Sequence, residues 1–251
     1  MDWGRAKLVL IISFLLLNIL LGYQLFNNRL DQISAADAAV IKEETFKRLE
    51  SRDIRLSAQK VPKDTPKLKP INYTKKINHE DIQTIAEPVH ASSLLRNKPS
   101  MKSLEKAGVI NASAYRADPA LSRKGELRVL HQIHEKLPMF DVELQLIEKD
   151  DKITGYKQVY VEVQSGVDTS NEATPPQEVI SAYTALSSLV ESSLPSHSVI
   201  TDIRLGYYGQ TFNSESLYML PNWRIVLNSG DIYYVQAFNG AVQQKPAVKE
   251  Q

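Results

Sequence analysis

The sequence predicts an α+β fold, and three observations carry that prediction. Val179, Tyr183, Leu186 and Val190 recur at helical spacing, giving an amphipathic stripe. Apolar and polar residues alternate over 140–146 and again over 159–163, the period of antiparallel strands with one buried face. Three further strand-like runs, 199–208, 217–227 and 232–238, follow the helix, so the chain closes on a helix and a three-stranded meander.

The 251 residues carry 30 Lys plus Arg against 29 Asp plus Glu, a net charge of +1. That balance speaks against nucleic acid as a partner, because binding phosphates requires a concentrated positive field. With no cysteine in the chain, disulfides, thiolate catalysis and Cys-ligated zinc are all excluded.

Residues 8–26 are uncharged, interrupted only by Ser13, Asn18, Gly22 and Gln24. As a helix at about 1.5 Å per residue they would reach about 28 Å, close to the roughly 30 Å hydrocarbon core of a bilayer. A cleaved signal peptide has a shorter apolar core of roughly 7 to 15 residues, so the run reads as an uncleaved transmembrane helix in contact with membrane lipid. Arg5 and Lys7 precede it, which by the positive-inside rule places residues 1–7 in the cytoplasm and the bulk of the chain outside it. The expected localisation is the cell membrane, crossed once. Leu15, Asn18, Gly22 and Leu25 share one helical face. An amide seeking a partner in hydrocarbon, beside a glycine that admits a second backbone, marks this face as a candidate for helix contact.

Beyond the span, the sequence predicts a first extracytoplasmic α+β domain over 30–165. It opens with a helix from Ser34, capped there and striped by Val40, Ile41, Thr45 and Leu49. Residues 52–57 read as a short strand. The segment holding Pro62, Pro66 and Pro70 reads as a loop or edge, with six lysines between Lys60 and Lys76 against the single Asp64. Residues 80–108 read as mostly helical, stopped at Gly108. The hairpin of 140–146 and 159–163 turns at 148–152.

The polar stretch 165–174 is the expected boundary with a second extracytoplasmic domain, 174–242. Thr174 is the expected cap of its helix, with Pro175 and Pro176 in the first helical positions. The run 228–231, Asn-Ser-Gly-Asp, supplies a tight turn between the last two strands. Residues 243–251 are polar and expected to fray.

Patterns that carry catalysis are not found. His134 and Glu135 are followed by Pro138 where a zinc-binding pair would need its second histidine. His131 and His134, three apart on a strand, should point to opposite faces, and His79, His90 and His197 stand alone. Ser57 with Lys60 and Ser103 with Lys106 have S-x-x-K spacing, but no Ser-Asp-Asn or Lys-Thr-Gly follows and there is no G-x-S-x-G elbow. The single glycines, Gly206 and Gly209 among them, form no phosphate loop. Asp150 and Asp151 sit in a hairpin turn, where solvation explains them better than acid and base work. The reading is a non-enzymatic module with no catalytic, metal or cofactor residues.

The opening Met1-Asp2-Trp3-Gly4-Arg5, with Lys7 and the apolar Phe14-Leu15-Leu16-Leu17-Asn18, resembles the start of YycI proteins. So do Ile203-Arg204-Leu205-Gly206-Tyr207-Tyr208, Pro221-Asn222-Trp223-Arg224, Tyr233-Tyr234-Val235 and Asn239-Gly240. The resemblance implies a membrane-anchored regulatory protein that works with the related YycH on the sensor histidine kinase YycG, also called WalK, and so influences cell-wall metabolism. It leaves a homodimer and a heterodimer both open. The closing helix and meander also resemble the PepSY type of small domain, which implies as an alternative an extracytoplasmic protease inhibitor or wall-ligand-binding module.

Overall fold

A computed structural model describes residues 14, 17–18, 39–57, 61–91, 98–164, 175–192, 194–209 and 217–245. By its contacts the chain divides into a compact unit of residues 1–47 and another of residues 48–251. Residues 39–51 are helical (α1). Within the first unit, the Thr45 hydroxyl donates to the Ile41 carbonyl at 2.7 Å, and Lys47 pairs with Glu43 one turn back at 2.8 Å. Among the described residues no helix is long and apolar enough to cross a membrane. The span expected at 8–26 lies outside them, apart from Phe14, Leu17 and Asn18, which are helical and exposed.

The second unit is mostly sheet. Ten strands join in it: β1 (Arg55–Leu56), β3 (Ile71–His90), β4 (Tyr115–Ala117), β5 (Leu127–His134), β6 (Leu137–Lys149), β7 (Lys152–Val163), β9 (Val199–Gly209), β10 (Leu217–Leu227), β11 (Ile232–Gln236) and β12 (Val242–Lys245). A separate antiparallel pair is formed by β2 (Lys67–Leu68) and β8 (Gln177–Glu178). Hydrogen-bonded neighbours in the large sheet run β1-β9-β10-β3-β7-β6-β5-β4, with β11 on β10 and β12 on β11. Strands from the ranges 30–165 and 174–242 are therefore bonded directly to each other. Because β6 also bridges β9 at Met139 and Tyr207, the strands β9, β10, β3, β7 and β6 close into a ring. Ile71, Tyr73, Met139, Val142, Val161, Tyr207 and Met219 form the apolar cluster shared by its strands.

The hairpin of β6 and β7 forms as its alternation predicts, turning at Asp150 and Asp151, both with positive φ (52° and 58°). Acidic side chains tolerate that left-handed backbone better than most. The meander β9-β10-β11 also forms, in antiparallel register. Pro221, with no N–H to give, stands where β10 leaves β3 at Met219 and meets β11 at Asn222.

Three expectations are corrected. Residues 80–90 are not helical: they end the long strand β3, paired with β7, and of the described residues from 80 to 108 only Ala91 and α2 (Lys98–Lys106) are helical. The in-facing positions of β3 include Ile71, Tyr73, Ile77, His79, Gln83, Ile85 and Val89, all odd. Polar residues at several of these, and three bulges in the register, hid the two-residue period. The C-terminal helix α3 (Ala182–Ser192) starts eight residues after Thr174. Ser181 caps it, accepting a hydrogen bond from the Thr184 amide at 3.1 Å. Ahead of it, the Val179 and Ile180 amides donate to the carbonyls of Pro66 and Ala237, which holds the backbone extended. Finally, residues 243–245 are not a frayed tail. They pair with β11 as the end of β12, through backbone groups that need no apolar side chain.

α3 packs on one face of the meander, burying Ala182, Ala185, Leu186, Leu189 and Val190 against Trp223, Ile225, Val235 and their neighbours. The other face of the same strands is buried too, and it is charged.

Candidate functional site

Alternation along β10 sends Trp223 and Ile225 to the α3 face and Arg224 to the opposite one. Trp223 Nε1 donates to the Ile180 carbonyl at 2.9 Å, tying the strand to the start of the helix. Arg224 is fully buried. Its guanidinium bonds Asp118, which follows β4, and reaches Asp202 on β9 at 2.8 Å. Arg204, two residues along β9, contacts the same carboxylates at 3.5 Å (Asp118) and 3.2 Å (Asp202). His131 on β5 places Nε2 3.0 Å from Asp118. Two carboxylates thus face two guanidiniums and one imidazole, with Asp118 and His131 also buried.

Such a cluster tolerates burial only if every charge is met by another. Burial alone would raise the Asp118 pKa, but hydrogen bonds from His131 and Arg224, with the charges of Arg224 and Arg204, hold it well below the usual carboxylate range. For Arg224 burial works against the charge, and the same two aspartates outweigh it, so its pKa is raised.

An aromatic layer closes the cluster from one side. The Arg224 guanidinium lies 4.7 Å from the Phe140 ring centre, and His131 meets the same ring edge-on at 5.7 Å. Phe140 neighbours Tyr234 at 5.6 Å, and Tyr234 stacks on Tyr208 at 3.7 Å. Gly206 makes this possible: a Cβ there would stand 2.7 Å from the Phe140 ring and 2.5 Å from the Pro138 carbonyl. Gly240 plays a similar part for α3, with a φ of 74° and a Cβ position 2.9 Å from Ser188 Oγ.

A second polar feature lies in the strand ring. Asp141 accepts a hydrogen bond from the Gly209 amide at 2.8 Å and lines a cavity of about 230 Å³ with Tyr73, Lys75 and Met219. Burial pushes its carboxyl up to about 6, although the Gly209 bond pulls the other way.

The arrangement holds charge. Among the described residues no hydroxyl bonds His131, the pairing that would activate a nucleophile. No group of three metal-binding side chains occurs among them either. The transmembrane contact expected at Leu15, Asn18, Gly22 and Leu25 lies outside the described residues except for Asn18, which is helical and exposed. In the sequence His131 suggests nothing beyond a metal ligand. Its partners, Asp118 and Arg224, come from two other segments, and nothing in linear spacing joins them. The usable signal was the run of short motifs in the C-terminal half, since Arg204, Gly206, Tyr208, Arg224 and Tyr234 all converge here.

Fold and site define an α+β protein organised around a paired internal charge cluster. The YycI family model matches residues 26–238, and the chain belongs to the YycI family, whose members are membrane-associated regulators in the YycFG two-component system. The match begins where the apolar run 8–26 ends. No curated protein matches the chain. Among solved structures, the Bacillus megaterium YpeB C-terminal domain is similar at 12% identity and a TM-score of 0.34, over 64% of this chain and 68% of that one. A protein from Eubacterium rectale is similar at 14% identity and a TM-score of 0.27, over 47% of this chain and 37% of that one.

Proposed function

We propose that this chain is a non-enzymatic, membrane-anchored regulator that adjusts the activity of the sensor kinase YycG/WalK together with a YycH-like partner. The observation that carries the reading is the family match over residues 26–238. The uncharged run 8–26 supports the anchor. The mechanism is a helix contact in the bilayer through Leu15, Asn18, Gly22 and Leu25, combined with pairing of the outer portions. Such a contact biases a kinase only by differing in strength between its signalling states, and a coupling of about 1 to 3 kcal/mol is enough.

Capture from solubilised membranes after crosslinking tests the partners: a kinase of the YycG type or a YycH-like protein is the expected product. Deleting residues 1–30 tests the route. The account expects signalling to change; unaltered signalling by the remainder would defeat the helix mechanism. It would favour a module that acts through its outer portion alone, as a protease inhibitor or wall-ligand binder does.

A further inference from the structure

Beside α2 lies a cavity of about 240 Å³ that neither the charge cluster nor the strand ring uses. Its floor is Leu130 and Leu146, both buried, and its rim is half-buried Met101 with Ala117 and Pro119, both exposed, so it opens to solvent as a groove. The polar side chains that line it are mostly committed elsewhere. Ser122 donates to the Asp118 carbonyl at 2.6 Å and accepts from the Val129 amide at 3.0 Å. Arg128 is held by Glu148 through two contacts, at 2.6 and 3.2 Å. An occupant therefore lies on an apolar floor. Lys124 is the exception: it lines the cavity, is exposed, and forms no ion pair among the described residues.

We propose that this cavity binds a single-chain carboxylate, with its hydrocarbon inside and its anionic head at Lys124. A dry cavity of about 150 Å³ accepts benzene, and by volume alone the groove of about 240 Å³ takes roughly ten heavy atoms, a chain of about eight to ten carbons. Pro119 of the rim directly follows Asp118, so an occupant presses on the segment that anchors the charge cluster.

The test uses the full-length chain in lipid nanodiscs and diazirine-bearing carboxylates of six to fourteen carbons, with labelled peptides mapped by mass spectrometry. Labelling should fall on Met101 and on the segment 117–130. Half-saturation should tighten about fourfold per added methylene and level off near ten carbons. Ala117→Phe, which fills the space, should reduce labelling at least tenfold while the thermal melt stays cooperative. Lys124→Gln should weaken carboxylates several-fold and leave an alkanol of equal length unchanged. If Ala117→Phe unfolds the chain, the length series and Lys124→Gln decide. Labelling that rises steadily through fourteen carbons reports partition into lipid and overturns the proposal, as does labelling elsewhere or equal loss of carboxylate and alkanol.

Discussion

At the residue scale, two positions show what burying charge demands in this protein. Gly206 is required by its neighbour: any Cβ would enter the Phe140 ring that roofs Arg224. Gly206→Ala should lower stability by about 1 to 3 kcal/mol, the usual penalty for overpacking a filled core, read as a lower urea midpoint at unchanged slope. Asp141 has the opposite problem, being half-buried with too few partners. Its pKa rises from an ordinary 3.8 to about 6, so the folded state binds a proton more tightly than the unfolded one. Stability from this group is complete below about pH 4 and lost as pH climbs through 6, a fall of about 2 to 3 kcal/mol. Asp141→Asn should flatten the stability profile in that window; an unchanged slope would assign it to other groups. Asp118 titrates far below this range, so its contribution is lost only in stronger acid. Neither aspartate stands out in the sequence, where only the glycine, arginine and tyrosine motifs around them do.

At the scale of elements, strands were legible where alternation was strict, and not elsewhere. The hairpin β6–β7 and the meander announce themselves through Val142, Leu144 and Leu146, or Trp223, Ile225 and Leu227. β3 does not, because His79 and Gln83 occupy in-facing positions where a valine would have revealed the period. The start of α3 is hidden for a different reason. Thr174-Pro175-Pro176 has the chemistry of a helix start, but the backbone at 177–180 is engaged by β2 and by the carbonyls of Pro66 and Ala237. Tertiary pairing overrode a local signal, and Ser181 took the cap. Ser181→Ala should therefore cost about 1 kcal/mol, measured by chemical denaturation, while Thr174→Ala should have no effect. Pairing between distant strands was beyond the sequence altogether. Alternation tells which residues face inward, not which strand lies alongside, and so the ring closed by Met139 and Tyr207 and the meeting of Asp118 with Arg224 emerge only in three dimensions.

Across the whole molecule, the charge cluster connects the two sides of the fold. Asp118 and His131 come from just after β4 and from β5, Asp202, Arg204 and Arg224 from β9 and β10. A buried pair adds little over well-packed apolar residues, but removing one partner strands the other, a loss of about 3 to 5 kcal/mol. Arg224→Met should destabilise the fold by that amount in a denaturant titration, and adding Asp118→Asn should recover part of it, a coupling of about 0.5 to 3 kcal/mol. Under the proposed function, the chain acts by a contact with its partners. The central claim is that the contact reaches a kinase through the membrane helix, and Asn18 is the residue on which it turns, since one interhelical hydrogen bond contributes roughly 0.6 to 2 kcal/mol. The most direct measurement is transcriptional output of the YycG-type pathway in cells carrying Asn18→Leu, at equal protein level and equal membrane insertion. The account expects output to shift from that of the unaltered chain; identical output would contradict it.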